Sequence, residues 1–199
     1  MVKLNPELFL AQGAHKKCYI HPHDNNLCIK LPKKNHIQDV VKEVNYYKHI
    51  NKTNSGKNFI SSYKDTIETN LGKGYVFELV KNYDGTISNS LEFYLKNLNK
   101  YIKKIPYFRQ AFLEMKESLI KENIITRNLK ERNILVQKIS KDKIKFVIID
   151  DIGPTEFIPL VLYFRPLAQN KILRKISRFK NNLTAKYEKL KDYPADSRY

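Results

Sequence analysis

Along the first 80 residues the apolar positions come in short runs separated by turn-forming residues. Leu8-Phe9-Leu10 precedes Gly13, and Cys18-Tyr19-Ile20 follows it. His21 to Asn26 contains Pro22, Asp24 and two asparagines, a composition that marks a hairpin turn. The next run, Leu27 to Leu31, is ended by Pro32. From Asn35 the period changes. Ile37, Val40, Val41, Val44, Tyr47 and Ile50 recur at helical spacing, with Asn35 as N-cap. Phe59 to Thr69 and Tyr75 to Val80 read as two strands joined by a turn at Gly72 and Gly74.

Beyond residue 85 helical spacing dominates. Ser90 to Ile102 and Pro106 to Glu122 carry apolar residues three and four apart, and Pro106 suits a first helical turn. An Ile-rich loop follows, then strands Asn133 to Ile139 and Lys145 to Asp150 around a Lys-Asp-Lys turn. Ile172, Ile176, Phe179 and Leu183 predict a last helix, and Tyr193 to Tyr199 reads as a frayed tail. The pattern shows no internal repeat. It predicts an α+β chain forming a single domain over residues 1–199. A β-rich part with one helix (about 1–81) is linked by Asn82-Tyr83-Asp84-Gly85 to a short, mainly helical part (about 86–190).

Composition supports a packed core: 42% of the 199 residues are apolar and 12% aromatic, above what a disordered chain carries. Charge adds a different element. Thirty-seven basic against 20 acidic residues give a net +17, a field that attracts nucleic acid, anionic membrane or phosphorylated ligands without choosing among them. The lysines are spread along the whole chain, which disfavours a dedicated nucleic-acid surface. Cys18 and Cys28 form no C-x-x-C pair, and their apolar surroundings predict reduced core thiols. Met1 to Leu10 has no apolar signal-peptide core, and the longest apolar stretch, Ile158 to Phe164, is interrupted by Pro159. The expectation is a soluble, cytoplasmic protein.

Chemistry concentrates in Thr126-Arg-Asn-Leu-Lys-Glu-Arg-Asn133-Ile-Leu-Val136. A protein-kinase catalytic loop reads H-R-D-L-x-x-x-N. Here Asn128 and Asn133 keep the five-position spacing, while Thr126 replaces the His and Asn128 the catalytic Asp. Downstream, Phe146-Val-Ile-Ile-Asp150-Asp151-Ile-Gly153 resembles the strand that delivers D-F-G. Polyphosphate needs fixed cations, and an Asn amide oxygen with a carboxylate suits magnesium or manganese while water completes the shell. Asn133 with Asp150 or Asp151 is the expected metal site. Asp151 fits D-F-G without a gap; Asp150 ends the apolar strand where a ligand would emerge.

The N-terminal part agrees. Cys28-Ile29-Lys30 resembles the V-A-I-K strand whose Lys meets the α/β-phosphates, and Glu43, thirteen residues on, is placed to pin that lysine. Gly13 lies where a glycine-rich phosphate cover is expected, with Lys16 and Lys17 adding charge. Phe77 to Asn82 would form the hinge beside a purine base, with Glu78 and Val80 as contact positions. ATP or a related nucleotide is the expected ligand; the phosphate acceptor is open.

Several of these runs together resemble the PhoP regulatory network protein YrbL family. They are Gly13-Ala-His-Lys-Lys-Cys-Tyr-Ile-His-Pro22, Cys28-Ile-Lys30, Glu43-Val-Asn-Tyr-Tyr47, Gly74-Tyr-Val-Phe77, the Asn128 to Leu135 run, Asp150-Asp-Ile-Gly153 and Ile158-Pro-Leu160. The resemblance covers about residues 6–165. It implies a bacterial, cytoplasmic protein with a bilobal kinase-like fold, in which the catalytic-loop Asp is characteristically missing and Asp150 is the aspartate carried over.

Each residue also has an ordinary reading. Lys30 and Glu43 would be surface charges if not paired, Asn133 a turn residue, and Asp150-Asp151 a mere strand end. His21-Pro22-His23 offers no third metal ligand and reads as a solvated turn. Lys171, Arg174, Lys175 and Arg178 read as the basic face of a packed helix before they read as a membrane or nucleic-acid binder. Asn128 has no basic lone pair near neutral pH, so it cannot take a hydroxyl proton as Asp does. Only 46 of 199 residues follow Gly153, and they hold no A-P-E anchor. The expectation is a pseudokinase-type regulatory module, a slow phosphotransferase or, with the nucleotide turned around, a nucleotidyltransferase, each ahead of a protein-serine/threonine kinase.

Overall fold

Strand alternation decides which side of the N-terminal sheet is which. The computed structural model describes residues 1–53, 58–154 and 164–190. Phe9–Gln12 (β1), Lys16–His21 (β2), Asp24–Pro32 (β3), Tyr63–Thr69 (β4) and Gly72–Glu78 (β5) form one sheet in the order β1-β2-β3-β5-β4. Every pairing in it is antiparallel. Successive side chains of a strand point to opposite faces. On β3, Ile29 and Leu31 join Leu4, Tyr19 and Val76 in a small outer cluster. Cys28, one position away, joins Phe77 and the Val40, Val44 and Tyr47 stripe of helix Ile37–Thr53 (α1) in the main core. Lys30 shares the Cys28 face.

Three local expectations are corrected by backbone chemistry. The β4–β5 turn is made by Asn70 and Leu71, with Gly72 opening β5 at φ +107°. There the Thr69 hydroxyl donates to Gly72 O at 2.6 Å and accepts from Leu71 N at 3.1 Å. Gly74 lies inside β5, where a Cβ would stand 2.6 Å from Ile29 Cγ2. Asn35 is no N-cap, because it sits within a 3-10 turn, Lys34–His36, that runs directly into α1. The helix expected from Ser90 to Ile102 is interrupted. Ser90 does cap Leu91–Lys96 (α2), accepting from Phe93 N, but Asn97 turns its amide back onto Phe93 O at 2.8 Å. That local side-chain bond competes with helix continuation, and a separate short helix, Leu98–Tyr101 (α3), follows.

Ile105–Lys121 (α4), the hairpin Ile134–Lys138 (β6) with Ile144–Ile148 (β7), and Arg165–Lys186 (α5) complete the described elements. Phe108 of α4 packs on Phe146 of β7, and Phe112 meets Phe179 of α5. The strand expected from Phe59 begins only at Tyr63, because the preceding residues pair elsewhere. Ile60 bridges to Ile148 in parallel, Ser61 N donates to Ile148 O at 3.0 Å, and Ile148 N donates to Phe59 O at 2.8 Å. This splice fastens β7 beneath the sheet, and one hydrophobic cluster runs through both parts. Among the described residues, no helix is long and apolar enough to cross a membrane. Ile158-Pro-Leu160, most of the Ile158 to Phe164 stretch and the tail from Tyr193 lie outside the described residues.

Candidate functional site

The C-terminal end of β7 is held against the run before Asn133 by a short backbone ladder. Arg127 N donates to Asp151 O at 2.7 Å, Gly153 N to Ile125 O at 2.9 Å, and Thr126 bridges to Ile152. Ile149 N adds a bond to Asn133 O at 2.9 Å. The bend that follows β7 puts Asp151 in the left-handed region, φ +61°, an uncommon state that Asp tolerates better than bulkier residues. Gly153, at φ +110°, stands where an added Cβ would lie 3.3 Å from Tyr46 Cβ and Cγ. Burial pushes the Tyr46 hydroxyl up to about 12, and that hydroxyl accepts from Ile125 N at 3.0 Å.

Above this ladder lies a cleft of about 600 Å³ between the five-stranded sheet and the β6–β7 side. Its walls bring together Gly13, Lys16, Lys30, Glu78, Val80, Asn133, Asp150 and Asp151, from distant parts of the chain. A cleft this size is ordinary for a small-molecule ligand. Asn128 is exposed and Glu43 buried, and neither lines it.

The expected pairing of Lys30 with Glu43 is replaced by another. Glu43 Oε2 pairs with Lys16 Nζ, which also pairs with Asp150 Oδ1. Lys30 Nζ donates to Ile149 O and lies 4.0 Å from the Phe77 ring centroid. The register explains the exchange. Cys18 is opposite Lys30 and Lys16 opposite Pro32, so Lys16 and Lys30 share one face. Lys16 stands at the end of β3 from which the chain enters α1, and so meets Glu43 first. Counting along the chain from Lys30 carries no information about the neighbouring strand.

The two aspartates are partnered differently. Asp150 Oδ1 takes Lys16 and also accepts from Asp151 N at 2.8 Å. Burial works against its ionisation, but Lys16 and Lys30 outweigh burial and hold the carboxyl down at about 2. Asp151 Oδ2 accepts from Asn133 Nδ2 at 2.9 Å; burial and the Asp150 charge push its pKa up. Burial also pushes Glu43 up, against the pull of Lys16. Lys16 is pushed up too: burial opposes its charge, and Glu43 and Asp150 together prevail.

The loop at Gly13 is tied rather than loose. Gly13 N donates to Lys16 O at 2.9 Å, and Lys33 returns its ammonium to Gly13 O at 2.9 Å. At the end of β5 and just beyond it, Glu78 O accepts from Ser61 Oγ at 2.8 Å and Val80 O from Ser88 N at 3.0 Å. Each carbonyl has a second lone pair. Cys18 and Cys28 are free and sit diagonally across β2 and β3 on the cleft face. Their mutual hydrogen bond and burial push the Cys18 thiol well up, which makes it a poor nucleophile.

Sequence reasoning did not single out Lys130, Arg132, Ser61 or Asn89, which also line the cleft. Lys130 and Arg132 lie inside the Thr126 to Val136 run, and that placement was the available signal. Ser61 and Asn89 carried none. Among the described residues no three His, Cys, Asp or Glu side chains gather closely enough to hold a metal ion by themselves. Magnesium bound with phosphate needs no such cage; one or two carboxylates and phosphate oxygens suffice. The adjacent Asn133 and Asp151 fit that mode, whereas the Asp150 carboxylate is already held by Lys16.

Comparison with known proteins agrees over nearly the whole length. The family model described as PhoP regulatory network protein YrbL matches residues 2–184. YrbL of Escherichia coli (strain K12) is 31% identical over 182 residues, covering 90% of this chain and 86% of that protein. YrbL of Shigella flexneri matches with the same identity and coverage.

Proposed function

This chain belongs to the PhoP regulatory network protein YrbL family, and on that premise we propose that it is a kinase-like nucleotide-binding protein. In this reading a β-rich N-lobe and a mainly helical C-lobe hold ATP or a related purine nucleotide between them, with magnesium or manganese. One observation carries it: Gly13, Lys16, Lys30, Asn133, Asp150 and Asp151 converge on a single cleft of nucleotide size. The sheet order, with α1 inserted between β3 and β4, supports the bilobal reading.

The phosphates would meet the Lys16 and Lys30 ammonium groups beneath the Gly13 loop, each a charge-assisted contact. The base would lie along Glu78 to Val80 above the apolar floor that includes Cys28 and Leu135. Asn133 and Asp151 would hold the metal ion, which would neutralise phosphate charge. The exposed Asn128 supplies no general base, and loss of such a base costs typically about 10²- to 10⁴-fold in rate. A regulatory binding module, or a slow phosphotransferase, follows from that composition. A cytoplasmic location belongs to the same proposal.

A thermal-shift titration with ATP, alone and with magnesium or manganese, tests the reading. A ligand bound only by the folded state raises the melting temperature by mass action. No shift at millimolar nucleotide with either metal would remove the nucleotide site. The net charge of +17 would then favour the basic-surface alternative, an anionic partner such as nucleic acid or membrane on the exposed Arg174, Arg178 and Lys180 of α5. A steep loss of binding with salt would mark nucleic acid.

A further inference from the structure

Lys16 is a buried ammonium group placed between two carboxylates of different elements, Glu43 of α1 and Asp150 beyond β7. Asp150 is one of the two aspartates that line the cleft. A second lysine, Lys30, reaches the backbone at Ile149, immediately before that aspartate. Two fixed positive charges therefore stand where the sheet meets the end of β7, before any metal ion is considered. Both lysines line the cleft.

We propose that Lys16 is a built-in cation of this site, so that phosphate-bearing nucleotide binds here without requiring a divalent metal ion. The inference rests on the nucleotide reading above and adds to it which charge neutralises the phosphates. Divalent ions in nucleotide sites bridge a carboxylate to phosphate oxygens. Lys16 already bridges from Asp150, has one further N–H beyond its bonds to Glu43 and Asp150, and lines the cleft on the sheet face it shares with Lys30. Glu43 fixes the ammonium from behind. A metal ion can still add at Asn133 and Asp151, but as a supplement. Replacing Lys16 frees Asp150, so the same substitution that weakens metal-free binding should make binding respond to magnesium.

The experiment is calorimetric titration of the full chain with a non-hydrolysable ATP analogue, in EDTA and in magnesium, for wild type and Lys16→Met. Expected for wild type is an affinity in EDTA within about threefold of that in magnesium, less than one kcal/mol apart. Expected for Lys16→Met is a loss of about tenfold or more in EDTA, the size of one charge-assisted bond, with partial recovery in magnesium. Removing Lys16 leaves Glu43 buried and unpaired, which destabilises strongly. If Lys16→Met does not fold, the double variant Lys16→Met, Glu43→Gln, which removes one charge of each sign, takes its place. Wild-type binding that vanishes in EDTA and returns with magnesium overturns the inference and leaves the nucleotide reading standing. Equal affinities of variant and wild type in EDTA also overturn it, making Lys16 a purely structural bridge. Absence of wild-type binding under both conditions overturns the nucleotide reading and this inference with it.

Discussion

Asn133 donates its side-chain amide to Asp151 Oδ2 at 2.9 Å, joining the turn before β6 to the left-handed residue beyond β7. Both residues line the cleft, and the second Asp151 oxygen is not used in that bond, while Asp150 is engaged by Lys16. Asp151→Ala should therefore abolish metal recruitment to the nucleotide complex, and Asp150→Ala should spare it. Paramagnetic enhancement of water relaxation by manganese, measured with nucleotide present, separates the two. Loss of enhancement in Asp150→Ala alone would transfer the ligand to Asp150.

Much of this geometry was legible in the sequence because it is local. The five-position spacing of Asn128 and Asn133, the apolar strand ending in Asp150 and the Cys28-Ile-Lys30 run each lie within one element and its flanking turn. The strands around Cys18, Leu27 and Tyr75 and the helix from Ile37 appear where alternation and helical period placed them. What was not legible depends on register between strands. Lys16 meets Glu43 because β2 and β3 pair with Lys16 opposite Pro32, and no one-dimensional spacing reports that. The same holds for Phe59 and Ser61, whose backbone goes to β7 instead of extending β4.

The Lys16–Asp150 contact has a pH signature with a definite sign. Lys16 and Lys30 overcome the effect of burial and lower the Asp150 carboxyl from 3.8 to about 2. A carboxylate depressed in the folded state stabilises it fully above the unfolded pKa, and that stabilisation is lost as pH falls through the folded pKa. The stability difference between wild type and Asp150→Asn should thus be widest above about pH 4, of order 2 kcal/mol, and close towards about pH 2. Glu43 acts in the opposite sense: its raised pKa means that acidification relieves a buried charge. Urea midpoints of both proteins across the acid range measure the gap. A gap independent of pH would mean that Asp150 contributes through shape and not through charge.

Close approach of β3 and β5 depends on one missing side chain. A Cβ at position 74 would lie 2.6 Å from Ile29 Cγ2 and 3.3 Å from Leu31 Cδ2, both in the outer cluster. Gly74→Ala should lower stability by about 1–3 kcal/mol, the usual cost of overpacking. Gly13→Ala is the contrast, since its Cβ would meet only Lys16 O at 3.9 Å. Melting temperatures should fall clearly for Gly74→Ala and hardly move for Gly13→Ala. Equal effects would show that the sheet relaxes around position 74.

Asn128 occupies the sequence position at which a phosphotransferase of this type would need its base. Asn128 is exposed, lies five positions before Asn133 and is absent from the cleft lining. Its neighbours hold the backbone firmly: Leu129 is buried, and Arg127 bonds to Asp151 through N–H and receives Lys175 Nζ on its carbonyl at 2.6 Å. An isosteric Asn128→Asp change should therefore leave the fold and nucleotide affinity unaltered, within about twofold. It introduces a carboxylate that can accept a proton from a hydroxyl acceptor near neutral pH, which an amide cannot. If the protein transfers phosphate slowly, the rate measured with labelled ATP should rise, by up to about 10²-fold where proton removal limits the step. If it is a regulatory binder, nucleotide affinity stays as it was and no turnover appears. A fall in an initially measurable rate would contradict both outcomes and would assign the asparagine amide its own part in positioning the acceptor.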